Sequence, residues 1–442
     1  MAPARVVVVC GDRAGRVMAG PAIRAVELAQ GLAGAGHPVV LAAPVGSDPN
    51  IDDLAVTTWS SRGDLRAAVA AAQVVVVFAA VLADHLWLAD LDVPLVVDSY
   101  DPALFETLEG RRGEPLNAQR DWVADASRHQ LHPLAVADVV LVASERQRHF
   151  ALGSLAALGR LGPRTVAEDP TLEQLVRIVP FGLPDEPPEH GSSPLRGPDG
   201  PFGADDVVAL WGGGLYPWLD PLTLVDAVSE VDDDRVVAAF LAGPHPTPAV
   251  GRMPLVDEAR QLALDLGLGR RVHFVERWVP YAERGRWLTG ADIGVSLHHS
   301  HVETELSFRT RVLDYLWAGL PIVCTGGDVV AEAVAADDLG VVVPPGDSTV
   351  VAAALAALAG ASPQKRAARR RRLADAARSH RWSETLAPLV AACAEPRLAP
   401  DRRVAENVPP RRGDGLRRAV RVAQGLPGSL VPSNGLRTEG TQ

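Results

Sequence analysis

The residues from His301 to Cys324 read His-Val-Glu-Thr-Glu-Leu-Ser-Phe-Arg-Thr-Arg-Val-Leu-Asp-Tyr-Leu-Trp-Ala-Gly-Leu-Pro-Ile-Val-Cys, with acidic and basic side chains crowded into the first half. Val312, Leu313, Leu316 and Trp317 recur at helical spacing, Gly319 and Pro321 stop the helix, and Ile322–Cys324 reads as a buried strand. A helix that opens beside Ser307 or Thr310 presents unpaired backbone N–H groups and the positive end of its dipole. That is the chemistry of anion binding, phosphate above all. An amphipathic helix with a solvated, charged first turn is the other reading of the same residues. Lys365 is the chain's single lysine, so any phosphate clamp must be built from arginine, dipoles and backbone amides.

Four further loops carry groups of interest. Gly11-Asp-Arg-Ala-Gly-Arg-Val-Met-Ala-Gly20-Pro21 has three glycines spaced four and five apart, so it is not a G-x-G-x-x-G dinucleotide fingerprint; a flexible loop and a loop closing over a phosphate or sugar are both open. Asp98-Ser-Tyr-Asp101-Pro102 puts two carboxylates and a phenol directly after a strand, and that strand should deliver Asp98 to a crevice. Ser144-Glu-Arg-Gln-Arg148 has a serine suited to capping a helix. Gly212-Gly213-Gly214 follows another strand, and three glycines in a row let a ligand approach the backbone with no side chain in the way.

The elements that must hold these loops alternate. Valine-rich strands are predicted at Val6–Val9, Val39–Ala42, Val74–Phe78, Leu95–Asp98 and Val139–Val142, with helices near Pro21–Ala35, Leu65–Ala72 and Gln119–Val136. A second series follows, with strands at Val207–Trp211, Val236–Ala242, Val272–Val275, Ile293–Leu297, Ile322–Cys324 and Val341–Val343. Continuous apolar strands separated by helices mean parallel sheets covered on both faces. The expected organisation is a first doubly wound unit over residues 1–183 and a Pro/Gly-rich linker over 184–204. A second unit spans 205–380, a short helix covers 381–395, and a disordered basic tail runs over 396–442.

Composition bounds the rest. A formal net charge of -11 argues against a nucleic-acid binder. Cys10, Cys324 and Cys393 lie far apart without metal-ligand spacing and read as core residues, which fits a reducing, cytoplasmic setting. The longest apolar run, Ala67 to Ala83, is broken by Gln73 and is short for a membrane span. The tail holds nine Arg against four acidic residues, and Leu416 to Leu426 within it is a possible amphipathic contact with an anionic membrane, at the inner face.

Taken together these pieces resemble the GT-B glycosyltransferases, in particular the large retaining group that includes bacterial mannosyl- and glucosyltransferases. The resemblance runs from about Arg5 to Ala394. It is carried by Gly20 to His37, Val179-Pro-Phe-Gly182, the Gly212–Gly214 loop, Asp314-Tyr-Leu-Trp-Ala-Gly-Leu-Pro-Ile-Val323 and Gly340-Val-Val-Val-Pro-Pro-Gly-Asp347. It implies two Rossmann-like domains facing one cleft, with a nucleotide-sugar donor on the second and a glycan, lipid-linked or small-molecule acceptor on the first. It further implies no cofactor and no metal, because helix ends and basic side chains stabilise the leaving diphosphate. The donor side would comprise Gly20, Gly213, Gly214, the amides of Phe308 to Thr310 and Asp314 on the ribose. The family's two glutamates are separated by seven residues. Here the second position is Asp314, the first falls on Leu306, and Glu305 is one residue further away. Glu305 is then expected near the sugar and Asp98 on the acceptor hydroxyl. The basic pair that usually follows the glycine loop falls on Gly214 and about Leu219; Arg309 and Arg311 offer a replacement, and Arg309 is the expected cation. A non-hydrolysing nucleotide-sugar epimerase and a non-catalytic nucleotide-sugar binder share the architecture and are the alternatives.

Overall fold

The computed structural model describes residues 3–51, 53–189, 191–247 and 253–403. Fourteen strands form two sheets among those residues. The first holds β1 (Val6–Val9), β2 (Val39–Pro44), β3 (Asn50–Ile51), β4 (Leu54–Trp59), β5 (Val74–Phe78), β6 (Leu95–Asp98), β7 (Val139–Val142) and β8 (Val176–Ile178) in the order β3-β4-β2-β1-β5-β6-β7-β8. The second holds β9 (Val207–Trp211), β10 (Val236–Leu241), β11 (Val272–Val275), β12 (Ile293–Ser296), β13 (Ile322–Thr325) and β14 (Gly340–Val343) in the order β11-β10-β9-β12-β13-β14. Every pairing is parallel except β3 with β4.

All-apolar central strands explain this arrangement. Val6 to Val9 are each 2 % exposed or less, because β1 pairs with β2 on one side and β5 on the other while helices cover both faces. The first sheet is wider than the five strands expected. The additional strands are β3 and β4 at one edge and β8 at the other. β4 reads Leu-Ala-Val-Thr-Thr-Trp and buries only its two ends, so it lacks the unbroken apolar run that marks a central strand.

The chain passes between the units twice, and the two passages lie side by side. The Leu183 amide donates to the His380 carbonyl at 2.7 Å, and the Trp382 amide donates to the Leu183 carbonyl at 2.8 Å. A Cβ on Gly182 would stand 2.4 Å from the Trp382 ring, so glycine is required for this contact. Beyond it the Ala387–Ala394 helix packs on the first unit, with Leu386 and Leu389 joining the core that contains Leu28 and Leu32.

The basic tail was expected to begin at Pro396, but residues 396–403 are docked. Arg402 donates to the carbonyls of Val93 and Leu91, each at 3.0 Å, and pairs with Asp138 at 2.9 Å; Arg160 pairs with Asp401 at 3.2 Å. A buried carboxylate and a row of open carbonyls at the lower edge of the sheet give this arginine partners that composition alone does not reveal. The remainder of the expected tail, with its Leu416–Leu426 segment, lies outside the described residues. Cys10, Cys324 and Cys393 are buried and free, and burial pushes the Cys10 and Cys393 thiols up to about 12. Among the described residues no helix is long and apolar enough to cross a membrane.

Candidate functional site

A cavity of about 200 Å³ lies where the carboxyl ends of both sheets meet. The first unit contributes Met18, Gly20 and Ile23, and the second contributes the Gly212–Gly214 loop, Tyr216, Trp278, Tyr281, Arg284, Thr310, Arg311 and Asp314. The units touch around it: the Trp278 indole donates to the Met18 carbonyl at 2.9 Å, and Gln147 donates to the carbonyls of Tyr100 and Leu306, each at 2.7 Å.

The glycine loop is held open by one side chain. Tyr315 is fully buried; its hydroxyl accepts from the Gly212 amide at 2.9 Å and donates to the Val295 carbonyl at 2.7 Å. Gly213 has φ +121°, a conformation that favours glycine, and a Cβ on Gly214 would press against the Tyr216 ring at 2.8 Å. The loop therefore offers bare backbone to a ligand. Tyr315→Phe keeps the ring and orphans the Gly212 amide, so the expected cost is about 1–2 kcal/mol of stability. Denaturant titration checks that, and nucleotide affinity should fall with it as the loop loosens.

Opposite the loop the Thr310–Trp317 helix begins, with Arg309 as its N-cap. Arg311 lies in its first turn, donates to the Gly214 carbonyl at 3.0 Å and stands over the Trp211 ring at 4.9 Å. Its Nη1 is buried without a partner, and burial pulls the guanidinium pKa below its ordinary value. An anion in the cavity would offset that penalty. At the far wall Asp314 pairs with Arg284 at 3.0 Å, while Arg284 is held against the Tyr281 ring at 3.5 Å and the Trp317 ring at 4.4 Å.

Of the residues singled out in the sequence, the structure gathers Gly20, Gly213, Gly214, Thr310 and Asp314 on this cavity. It puts the others elsewhere. Arg309 turns away from the cavity and is 8 % exposed, forked on Glu303 with contacts of 2.9 and 2.7 Å. Glu303 is itself 1 % exposed and also accepts from the Ser307 hydroxyl. The cation beside the glycine loop is thus Arg311, two residues on. Phe308 packs partly buried against the core. Glu305 is exposed at the seam between the units, where its carbonyl accepts from Arg146 at 3.3 Å. Asp98 is delivered to the end of β6 as expected, but its two oxygens accept from Arg24 at 2.7 and 2.9 Å and it is buried. Leu219, at the family's lysine position, is core.

Sequence reasoning named Arg311 beside Arg309 but settled on Arg309, noted Asp101 only as a second carboxylate after the strand, and passed over Arg284 on the cavity and Glu106 in the cleft beside it. Asp101 closes the β6 loop, and Glu106 lies in the first turn of the Ala103–Gly110 helix. Burial, then the charge of Asp98, pushes the Asp101 carboxyl up to about 7. Burial, then Asp101, raises Glu106 well above the usual carboxylate range. The Asp98-to-Pro102 run was the available signal, since it already held the second carboxylate. Among the described residues no group of three or more His, Cys, Asp or Glu side chains is arranged to hold a metal ion.

Comparison with known proteins fits this geometry. Residues 207–361 match the family described as "Glycosyl transferases group 1". No curated protein matches the chain by sequence. Among solved structures, sucrose-phosphate synthase from Thermosynechococcus elongatus superposes with a TM-score of 0.64 at 16% identity, over 88% of this chain and 97% of that one. Anabaena HepE in complex with UDP and glucose gives 0.60 at 16% identity, over 88% and 100%. WaaG, a glycosyltransferase involved in lipopolysaccharide biosynthesis, gives 0.57 at 13% identity, over 88% and 98%. Two parallel-sheet units facing a cleft are the GT-B fold of these neighbours, and residues 207–361, in the second unit, match the group 1 glycosyl transferases.

Proposed function

We propose that this chain transfers a sugar from a nucleoside-diphosphate donor to a hydroxyl of a glycan, lipid-linked or small-molecule acceptor, with retention and without a metal. The carrying observation is the convergence of the bare glycine loop, the helix start at Thr310, Arg311 and Asp314 on one cavity. Amides and a guanidinium face the place where a diphosphate accumulates charge as its bond to the sugar breaks, which is where fixed donors lower a barrier most. Asp314 keeps one oxygen clear of Arg284 for ribose hydroxyls. The binding of UDP and glucose by HepE supports the donor class.

Asp98 acts in this reading through Arg24, bracing the loop that follows β6. Glu305 is assigned to the sugar, at the seam between the units. Retention follows the resemblance to the retaining group, and the placement is cytoplasmic, with a peripheral contact at the inner face of the membrane.

A panel of nucleotide sugars tested by thermal shift should single out one donor, because a ligand at about one hundred times its Kd stabilises by about 2.7 kcal/mol. That donor should then release nucleoside diphosphate faster when an acceptor is present. Release of an isomerised nucleotide sugar with no acceptor would mark an epimerase, and binding without any turnover would mark a binder; either result overturns this reading.

A further inference from the structure

One helix of the first unit reaches across the seam with two consecutive side chains. The Glu145–Ala157 helix opens at the carboxyl end of β7, where the Ser144 hydroxyl accepts from the Gln147 backbone amide at 3.2 Å. That cap puts Arg146 and Gln147 in the first turn, at the end of the helix nearest the second unit. Gln147 is 4 % exposed: its side-chain oxygen accepts from the Ala143 amide at 2.7 Å, and its Nε2 donates to the carbonyls of Tyr100 and Leu306, each at 2.7 Å. Both of its N–H groups are thus used, one on each unit. Arg146 Nη1 donates to the Gly327 carbonyl at 2.5 Å and to the Glu305 carbonyl at 3.3 Å, while Nη2 pairs with Glu332 at 2.5 Å.

The receiving carbonyls are open for a local reason. The Val302–Leu306 helix is little more than one turn long and stops at Leu306, so the carbonyls of Glu305 and Leu306 have no helical amide ahead of them to bond. Gly327 lies in the loop between β13 and the Val329–Ala336 helix, and a Cβ there would stand 3.2 Å from the Thr304 side chain, so this loop rests against the short helix. The turn after Leu306 is also tied on its inner side, where Glu303 accepts from the Ser307 hydroxyl and from both terminal nitrogens of Arg309. Arg309 is the N-cap of the Thr310–Trp317 helix. A connected series of bonds therefore runs from the first unit, through Leu306, Ser307 and Glu303, to the helix start on the cavity. Arg146 and Gln147 do not line the cavity themselves.

We propose that Arg146 and Gln147 are positioning residues for the transfer step: through the carbonyls of Glu305, Leu306 and Gly327 they fix the Glu305–Ser307 turn, and with it the start of the Thr310–Trp317 helix, against the Tyr100 loop of the first unit. The assignment rests on the glycosyl-transfer reading and adds to it two residues outside the donor cavity. The groups assigned to the diphosphate and the ribose, Gly213, Gly214, Thr310, Arg311 and Asp314, all belong to the second unit. A nucleoside diphosphate therefore binds whether or not the first unit holds the turn. Transfer is more demanding, because a misplacement of about 1 Å at the reacting groups costs about 100-fold in rate. The ion pair to Glu332 is the lesser part of the contact: that carboxylate is 64 % exposed, and pairs of this kind contribute little.

The test uses the full chain, the donor singled out by thermal shift and an acceptor that accelerates its turnover. Arg146→Ala should lower kcat about 10- to 100-fold, the range for lost hydrogen bonds from a charged group. Nucleoside diphosphate affinity, read by calorimetry, should stay within about twofold, and the melting temperature should move little because the side chain is 32 % exposed. Arg146→Lys should recover part of kcat, since an ammonium is a single point where the guanidinium is a fork. Glu332→Gln should keep kcat within about twofold. Gln147→Met should lower kcat at least as far as Arg146→Ala does, and the melting temperature with it, because the Ala143 amide and two carbonyls are left unpaired. An Arg146→Ala protein with native kcat, or one whose kcat and nucleoside diphosphate affinity fall in proportion, overturns the assignment and leaves the donor reading intact. A loss in Glu332→Gln equal to that in Arg146→Ala also overturns it, since the carbonyl contacts would then do nothing. A native chain that transfers sugar to no acceptor overturns the glycosyl-transfer reading, and this assignment with it.

Discussion

Arg309→Ala lowers the stability of the folded chain by about 3–5 kcal/mol, the cost of leaving one member of a buried ion pair without the other. The partner left behind is Glu303, 1 % exposed, which holds Arg309 through two bonds of 2.9 and 2.7 Å. Asp328, 3.9 Å from Arg309 Nε and 3 % exposed at its side chain, loses that guanidinium as well. Ser307 and His301 also lean on Glu303, so the change spreads through the turn that leads into the Thr310–Trp317 helix. Urea titration measures this directly: the midpoint should fall with little change in slope. The result separates two roles for the same residue. A guanidinium that sat on the diphosphate would cost affinity when removed and leave stability nearly unchanged.

Arg311→Ala should show that second pattern. The guanidinium lines the cavity, spans from the helix start to the Gly214 carbonyl at 3.0 Å, and carries a buried N–H that nothing among the described residues accepts. Nucleoside diphosphate affinity should fall about 10- to 100-fold, the range for one lost charged hydrogen bond or salt bridge. Arg311→Lys should recover only part of it, because a point charge cannot keep the Gly214 contact and reach the phosphate as a fork does. Calorimetric titration with UDP or GDP reads both variants. An Arg311→Ala protein that binds as the native one does would remove Arg311 from the reading.

The parts of this molecule that the sequence declares are those whose cause is local. Val6–Val9 and Val74–Phe78 are apolar throughout because both faces of the strand are covered, and both were placed without a structure. The Gly212–Gly214 loop and the helix start at Thr310 were likewise legible, since glycine freedom and an opening helix are properties of a few adjacent residues. β8, at an edge, and β4, which buries only its two ends beside the short β3, were not, because strands that bury so little leave no pattern. The assignment of charges depends on distance in space. Asp98 finds Arg24 across 74 residues, and nothing in its own neighbourhood announces that its oxygens are taken. Arg309 and Arg311 are two residues apart and alike in sequence. Arg309 is the N-cap, outside helical geometry with ψ 80°, so its side chain turns toward Glu303 while that of Arg311 faces the glycine loop.

The second passage between the units bears on how the chain is made. Leu28 and Leu32 share a core with Leu386 and Leu389, so a face of the first unit is closed by residues synthesised only after the second unit. A ribosome adding about 5–20 residues per second reaches them some 350 residues after Leu32, on the order of 20–70 s later. Through that interval the first unit is an incomplete body with an open apolar side, and a chain cut at the 380–382 passage stays in that condition. The two halves of the cleft are thus joined in time as well as in space: the first unit is finished only once the second has been made.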